Sequence, residues 1–138
     1  MQTNPYLFFD GRCEEALDFY KRTVGAEVTM MMKYKDAPAE AKANMTPGSE
    51  DKVMHAALRI GENSVMASDG HCTGHPEFKG FALSLMTKEP DKADTLFKKL
   101  AEGGQVQVPM TKTFFAERFG MLADKFGVNW MVLGGSTG

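Results

Sequence analysis

Residues 113 to 133, near the end of the chain, read TFFAERFGMLADKFGVNWMVL. Two apolar segments, RFGMLAD and VNWMVLG, flank an Asp-Lys-Phe-Gly sequence at positions 124 to 127. Aspartate and glycine are typical of tight turns, because glycine adopts backbone conformations that side chains obstruct. The stretch therefore predicts two strands joined by a turn.

This hairpin completes a longer series of predicted elements. A strand, KGFALSLMT, and a helix, DKADTLFKKLAEGG, come before it, and Gly103 and Gly104 end the helix. The segment QVQVPM predicts one more strand between that helix and the hairpin. The order of elements in the second half of the chain is therefore βαβββ.

The same order occurs in the first half. PYLFF predicts a strand, RCEEALDFYKRTVG an amphipathic helix that ends at Gly25, and AEVTMMMKY a second strand. KVMHAALRIG and SVMASDG predict two further strands, joined at residues 61–63. Because the order repeats, we predict an α+β fold of two βαβββ modules, residues 4–70 and 78–135, in a single domain that spans residues 1–138.

Length and composition restrict the class of protein. The chain has 138 residues, 43% hydrophobic and 25% charged, as is usual for one globular domain. A net charge of -2 provides no positive field for phosphate backbones, so we expect no nucleic-acid partner. The sequence shows neither a basic and apolar leader nor an apolar run of about 18 residues, so we expect a cytoplasmic protein without membrane contact.

The connector between the modules raises the question of a metal. Its sequence, SDGHCTGHPEF, contains His71, Cys72, His75 and Glu77, but this spacing is not an established metal signature. Side chains in a glycine-rich loop are poorly constrained, so we interpret the segment as a solvated connector. Cys72 and Cys13 lack paired spacing and are expected to be reduced thiols.

The chain resembles a known family over nearly its whole length. The motifs that carry the resemblance are Pro5-Tyr6-Leu7, His55-Ala56, Ser68-Asp69 and the terminal TFFAERFGMLADKFGVNWM. They are similar to the PhnB-like family, also named the 3-demethylubiquinone-9 3-methyltransferase-like domain, of the vicinal oxygen chelate superfamily. That superfamily includes glyoxalase I, bleomycin resistance proteins and extradiol dioxygenases. Phe115 stands where the family commonly has tryptophan, so an aromatic side chain is kept and an indole N–H donor is lost.

The resemblance implies an architecture and a set of site positions. The modules are expected to form a curved mixed sheet with a concave ligand cup, the glyoxalase/bleomycin resistance fold, and two copies to form a homodimer. Enzymes of the superfamily hold a divalent metal with His or Glu side chains from four strands. The corresponding positions are Pro5, Met66, Phe81 and Met131. None of these residue types suits a hard cation, so we expect no metal and no cofactor.

Alternation along VMHAALRI predicts which side chains face the cup. Ala56 and Leu58 fall on a face that is expected to meet a helix, whereas His55 and Arg59 fall on the other face. With Asp69 beside it at the cup rim, His55 can act as a general base, and Arg59 can bind a carboxylate or phosphate. The alternatives are a hydrogen bond from His55 to a backbone carbonyl and an exposed ion pair at Arg59.

The other predicted cup residues are mostly apolar. Met66 and Met131 have flexible, polarizable side chains that adapt to ligands of varied shape. The aromatic pair after Thr113 is expected to cover the cup mouth, and Trp130, by alternation with Met131, to pack beneath a helix. The predicted ligand-binding residues are Arg59, Met66, Asp69, Phe81, Thr113, Phe114, Phe115 and Met131, with His55 as the candidate catalytic base.

Two functions from different classes fit these predictions. The first is a metal-free protein that binds a small organic molecule in an apolar cup. The second is an enzyme of the same superfamily, of lyase, isomerase or dioxygenase type, that uses His55 as a base or an unexpected metal. A structural unit that only forms dimers is a third interpretation. The four positions that lack the usual metal ligands favour the binding protein.

Overall fold

The computed structural model describes the backbone of residues 1–42, 47–70 and 76–136. The chain divides into two compact units, residues 1–76 (unit 1) and residues 77–138 (unit 2). Each unit contains one four-stranded mixed sheet and one long helix, with its strands and that helix in the order βαβββ. The predicted α+β fold with a repeated element order is thereby confirmed.

Unit 1 has a short additional helix between its second and third strands. Its elements are β1 (Tyr6–Phe8), α1 (Cys13–Val24), β2 (Glu27–Lys33), a 3-10 turn (Tyr34–Asp36), α2 (Ala39–Lys42), β3 (Val53–Ile60) and β4 (Asn63–Ser68). The strand order is β1-β4-β3-β2, in which β1 runs parallel to β4 and the other neighbours are antiparallel. The first and last strands of unit 1 therefore lie side by side.

Helix α1 packs on β2 and β3. Apolar residues recur along it at helical spacing, and Ala16, Leu17 and Tyr20 are buried. Full burial of a side chain as large as Leu17 stabilises a fold by about 1.5–3 kcal/mol. Gly25 ends the helix as predicted, with a φ of 68°, a left-handed conformation that glycine adopts without steric cost.

Unit 2 repeats this arrangement without the short helix. Its elements are β5 (Leu83–Thr87), α3 (Pro90–Leu100), β6 (Gln105–Thr111), β7 (Ala116–Ala123) and β8 (Asn129–Ser136). The strand order is β5-β8-β7-β6, with β5 parallel to β8 and the other neighbours antiparallel. Strands β7 and β8 are the hairpin predicted from residues 113–133.

Helix α3 packs closely on β8 and β7 because glycines lie where the helix meets the sheet. A Cβ atom added to Gly134 would lie 2.5 Å from the Cβ of Ala93, and one added to Gly120 would lie 2.7 Å from the ring of Phe97. Only glycine permits so close an approach.

Among the residues that the structure describes, no helix is both long and apolar enough to cross a membrane.

Candidate functional site

One face of the first sheet points away from α1. Direct cross-strand partners form a row across all four strands, namely Met30, Ala57, Met66 and Tyr6. Side chains directly opposite one another share a face, and Ala56, the neighbour of Ala57, is buried on the other side. We call this side the open face of unit 1; its residues are Tyr6, Phe8, Glu27, Met30, Met32, His55, Ala57, Arg59, Ser64 and Met66.

Two polar side chains meet on the open face of unit 1. The phenolic oxygen of Tyr6 lies 3.0 Å from Nδ1 of His55, at hydrogen-bond distance. The ring centroids of these residues are 5.6 Å apart, and the ring of Phe8 lies 4.8 Å from that of Tyr6. Nε2 of His55 forms no hydrogen bond with any residue that the structure describes.

Asp69 does not pair with His55. It is 5% exposed, and its Oδ1 accepts hydrogen bonds from the backbone N–H groups of Gly11 at 2.6 Å and Cys13 at 2.9 Å. Its Oδ2 accepts a bond of 2.9 Å from the N–H of Val53. The sequence placed Asp69 at the cup rim beside His55, whereas in the structure Asp69 is buried and bonded to backbone N–H groups. Buried N–H groups require hydrogen-bond acceptors. The Asp69 carboxylate, at the end of β4, supplies them to the start of α1 and to the start of β3.

Arg59 lies on the open face of unit 1, but its guanidinium group contacts the carboxylate of Glu27. Glu27 is the direct cross-strand partner of Arg59 on β2, and both side chains are more than half exposed. An exposed pair of this kind contributes only about 0–1 kcal/mol to stability. The contact is the ion pair that the sequence left open as an alternative to anion binding.

The second sheet also has a face that points away from its helix. Met121 of β7 and Met131 of β8 are direct partners, and Ser84 of β5 lies opposite Met131. The neighbouring Leu122 and Trp130 are buried on the helix side. Met131 and Trp130 therefore lie on opposite faces of the sheet, as the alternation predicts.

Thr113, Phe114 and Phe115 form the turn between β6 and β7. The hydroxyl of Thr113 accepts hydrogen bonds from the backbone N–H groups of Phe115 at 3.3 Å and Ala116 at 3.2 Å. The ring of Phe115 lies 5.2 Å from that of Phe119 in an edge-to-face contact, and Phe114 is 94% exposed. Thr113 thus shapes the turn, which holds two aromatic side chains at the protein surface.

The strand register shows which residues lie opposite Met66 and Met131. Tyr6 and Ser84, rather than Pro5 and Phe81, lie opposite the two methionines on β4 and β8. Phe81 precedes β5, is 47% exposed, and its ring lies 6.5 Å from that of Phe78.

No metal site is visible in the described part of the chain. Within residues 1–42, 47–70 and 76–136, no three His, Cys, Asp or Glu side chains form a group that could hold an ion. His71, Cys72 and His75 lie outside the described residues, so the predicted role of that connector is not addressed by the structure.

The structure brings only some of the predicted site residues together. Thr113, Phe114 and Phe115 precede β7, at the end of the second sheet where Ala116 pairs with Ser136, whereas Phe81 precedes β5, at the end where Leu83 pairs with Trp130. His55, Arg59 and Met66 share the open face of unit 1. The sequence missed two residues of that face, Tyr6 and Phe8, although a signal was present. Alternation in PYLFF places both on the side opposite the buried Leu7, but the parallel pairing of β1 with β4 that brings Tyr6 to His55 is a long-range property.

Comparison with known proteins identifies the family. A family model described as 3-demethylubiquinone-9 3-methyltransferase matches residues 1–133. The chain belongs to the 3-demethylubiquinone-9 3-methyltransferase family. Protein YjdN of Escherichia coli strain K12 is 33% identical to it over 138 residues, which cover 96% of this chain and 94% of that protein.

Solved structures are similar to this family member over nearly its whole length. Protein PA1353 from Pseudomonas aeruginosa is 40% identical, with a TM-score of 0.85 and coverage of 97% of each chain. A putative 3-demethylubiquinone-9 3-methyltransferase, PhnB protein, from Bacillus cereus is 26% identical, with a TM-score of 0.80 and coverage of 97% of this chain and 99% of the other.

More distant similarity shows the fold alone. A glyoxylase/bleomycin resistance protein/dioxygenase domain from Frankia sp. EAN1pec is 13% identical, with a TM-score of 0.66, and covers 100% of this chain and 93% of its own. The chain therefore combines membership of the 3-demethylubiquinone-9 3-methyltransferase family with the glyoxalase/bleomycin resistance fold.

The family name describes a methyl transfer, and the turn after β1 is where a nucleotide-like methyl donor could be held in other folds. In this family member the N–H groups of Gly11 and Cys13 at that turn donate to Asp69. These donors are already engaged within the protein.

Proposed function

We propose that this family member binds a small organic molecule on the open face of unit 1, without a metal ion. The observation that carries the proposal is the Tyr6–His55 hydrogen bond, which lies on a face of partly exposed apolar side chains. Sites for small organic molecules combine an apolar lining with a few polar groups that fix orientation. Phe8, Met30 and Met66 supply such a lining beside the polar pair.

Methionine side chains support binding of this kind. Met30 is 40% exposed and Met66 is partly exposed, and both belong to the row that ends at Tyr6. Unbranched thioether side chains adjust their shape and make favourable contacts with aromatic rings. Unit 2 presents the same kind of lining, since Met121 and Met131 are partners on its exposed sheet face.

An enzyme of the superfamily, of lyase, isomerase or dioxygenase type, is the alternative. The observation in its favour is that Tyr6 holds the imidazole of His55 while Nε2 stays free of partners among the described residues. A general base requires an unprotonated nitrogen at the reacting atom. His55 can act as a base through Nε2 only if Nδ1 carries the proton and its N–H donates the hydrogen bond to the Tyr6 oxygen.

Neighbouring methionines on β2 provide a matched test of the proposed location. A metabolite library is screened by thermal shift, and each stabilising compound is titrated by calorimetry against Met66→Gln, Met30→Gln and the control Met31→Gln. Met31 has the same 40% exposure as Met30, but it lies opposite the buried Ala56 and so on the other face. The control therefore changes the same strand without changing the open face.

We expect Met66→Gln and Met30→Gln to weaken binding at least about fivefold. When the ligand covers the glutamine side chain, its amide group loses hydrogen bonds to water that the ligand does not replace. Met31→Gln should leave the affinity unchanged. The proposal is contradicted if no compound stabilises the protein, or if all three variants weaken binding equally.

A further inference from the structure

We infer that the Tyr6–His55 pair fixes the imidazole as an outward N–H donor, and that the ligand is a neutral aromatic molecule carrying a carbonyl oxygen. This inference rests on the proposed function of the open face of unit 1 and names the class of molecule that it binds. It depends on three properties of that face: the direction of one hydrogen bond, the aromatic rings and the charge.

The direction of the hydrogen bond follows from the two groups that form it. A neutral phenol is a good donor through its O–H and a weak acceptor, whereas the unprotonated nitrogen of a neutral imidazole is a strong acceptor. The 3.0 Å contact is therefore best made with the Tyr6 hydroxyl donating to Nδ1 of His55. The proton of the imidazole then lies on Nε2, which presents an N–H donor and not a base.

The aromatic rings indicate a flat ligand. The rings of Tyr6 and Phe8 lie 4.8 Å apart with an angle of 31° between their planes, and both residues belong to the open face of unit 1. Aromatic rings attract other rings in offset or edge-to-face contact by about 0.5–1.5 kcal/mol beyond area burial. A planar ring resting beside Tyr6 and Phe8 brings a substituent within reach of the His55 donor.

Charge selects a neutral acceptor over an anion. Arg59 carries the one cationic side chain among the open-face residues defined above, and its guanidinium group contacts Glu27 on the same face. The two formal charges cancel, so a carboxylate would be desolvated without a free cation to balance it. A carbonyl oxygen accepts the single N–H bond without that cost.

Four small probes separate these properties. Acetophenone has the ring and the carbonyl, ethylbenzene lacks the carbonyl, cyclohexyl methyl ketone lacks the aromatic ring, and benzoate carries a negative charge. Binding is followed by NMR of the protein with labelled methionine methyl groups, since Met30 and Met66 report on the open face of unit 1. Met86, which is exposed in unit 2, serves as the control position.

In the unsubstituted protein, acetophenone should bind about threefold to tenfold more tightly than ethylbenzene, the ratio that one net hydrogen bond supplies. Cyclohexyl methyl ketone and benzoate should both bind more weakly than acetophenone. In His55→Leu the preference for acetophenone over ethylbenzene should disappear, whereas His55→Gln, which keeps an N–H donor, should retain part of it. The nitrogen spectrum of the imidazole should show Nε2 protonated and Nδ1 unprotonated, and Tyr6→Phe should reduce that bias.

The experiment distinguishes failure of this inference from failure of the proposed function. Equal binding of acetophenone and ethylbenzene at Met30 and Met66, tighter binding of benzoate, or a proton on Nδ1 of His55 overturns this inference while leaving a binding site on the open face. If no probe shifts the Met30 and Met66 signals, or if only Met86 responds, the proposed function fails together with it.

Discussion

The indole Nε1 of Trp130 donates a hydrogen bond of 2.9 Å to Oδ2 of Asp124, and both side chains are buried. The other carboxylate oxygen of Asp124 accepts bonds from the backbone N–H groups of Phe126 at 2.9 Å and Val128 at 3.1 Å. One carboxylate thus connects the turn between β7 and β8 to the largest side chain in the core of unit 2.

Asp124→Ala removes the acceptor of three buried donors. A single unsatisfied buried group costs about 1–3 kcal/mol, so the free energy of unfolding should fall by at least about 3 kcal/mol. Urea denaturation measures this change. Glu62→Ala, an exposed position in the turn between β3 and β4, is the control and should change stability by less than about 0.5 kcal/mol. Equal stability of the two variants would show that water replaces the carboxylate.

Trp130 and Phe115 should differ sharply in their effect on stability. Trp130 is 2% exposed and Phe115 is 37% exposed. Trp130→Ala leaves a large cavity and should lower the free energy of unfolding by about 3–5 kcal/mol. Phe115→Ala removes an aromatic contact with Phe119 and should cost no more than about 1 kcal/mol. Thermal denaturation of both variants tests this difference in stability, and a similar loss of stability in both would contradict it.

Burial raises the pKa of the Cys13 thiol far above its usual range, and the negative charges of Asp69 and Glu14 raise it further. A thiol in an unfolded chain ionises at about pH 8.5. Above that pH the unfolded state loses a proton that the folded state keeps. The free energy of unfolding should therefore fall with rising pH, by at most about 1.4 kcal/mol per unit, and should be unaffected by this group below that pH.

The Cys72→Ser variant isolates this effect, because Cys13 is then the one thiol of the chain. Urea denaturation between roughly pH 7 and pH 10 should give a steeper decline for Cys72→Ser than for Cys13→Ala combined with Cys72→Ser. A thiol reagent should modify Cys13 only after unfolding. Rapid labelling of the native variant would show that the thiol reaches solvent.

Tag-free protein should bind no stoichiometric divalent metal at neutral pH. The family resemblance implies that Met66 and Met131 stand at two of the positions where enzymes of the superfamily place His or Glu, and thioethers are poor ligands for hard cations. Elemental analysis after dialysis tests this expectation. Tight binding of one zinc, nickel or manganese ion per chain would contradict it, and loss of that metal in His71→Ala combined with His75→Ala would assign it to the connector.

We propose that the protein forms a homodimer in solution. Each of the two sheets ends in edge strands, and β6, an edge strand of unit 2, carries the exposed Val106. Exposed apolar edges are commonly covered by another copy of the chain. Sedimentation equilibrium at tens of micromolar protein should give twice the chain mass. A single-chain mass at that concentration would contradict the proposal.

Local sequence features determined the elements of the fold. The turn at residues 124–127, the end of α1 at Gly25 and the alternation that separates Met131 from Trp130 were all readable, because each depends on neighbours within a few residues. The repeated βαβββ order was readable for the same reason, and the family resemblance rested on short motifs.

Tertiary structure alone decided which side chains meet. Tyr6 and His55 are separated by 49 positions, and Asp69 reaches Gly11 across 58. These contacts depend on the parallel pairing of β1 with β4 and on its register, and a shift of one residue would turn each side chain to the opposite face. The sequence could therefore assign His55 and Met66 to a face, but the partner that fixes the imidazole and the acceptor role of Asp69 were set by strand pairing over long distances.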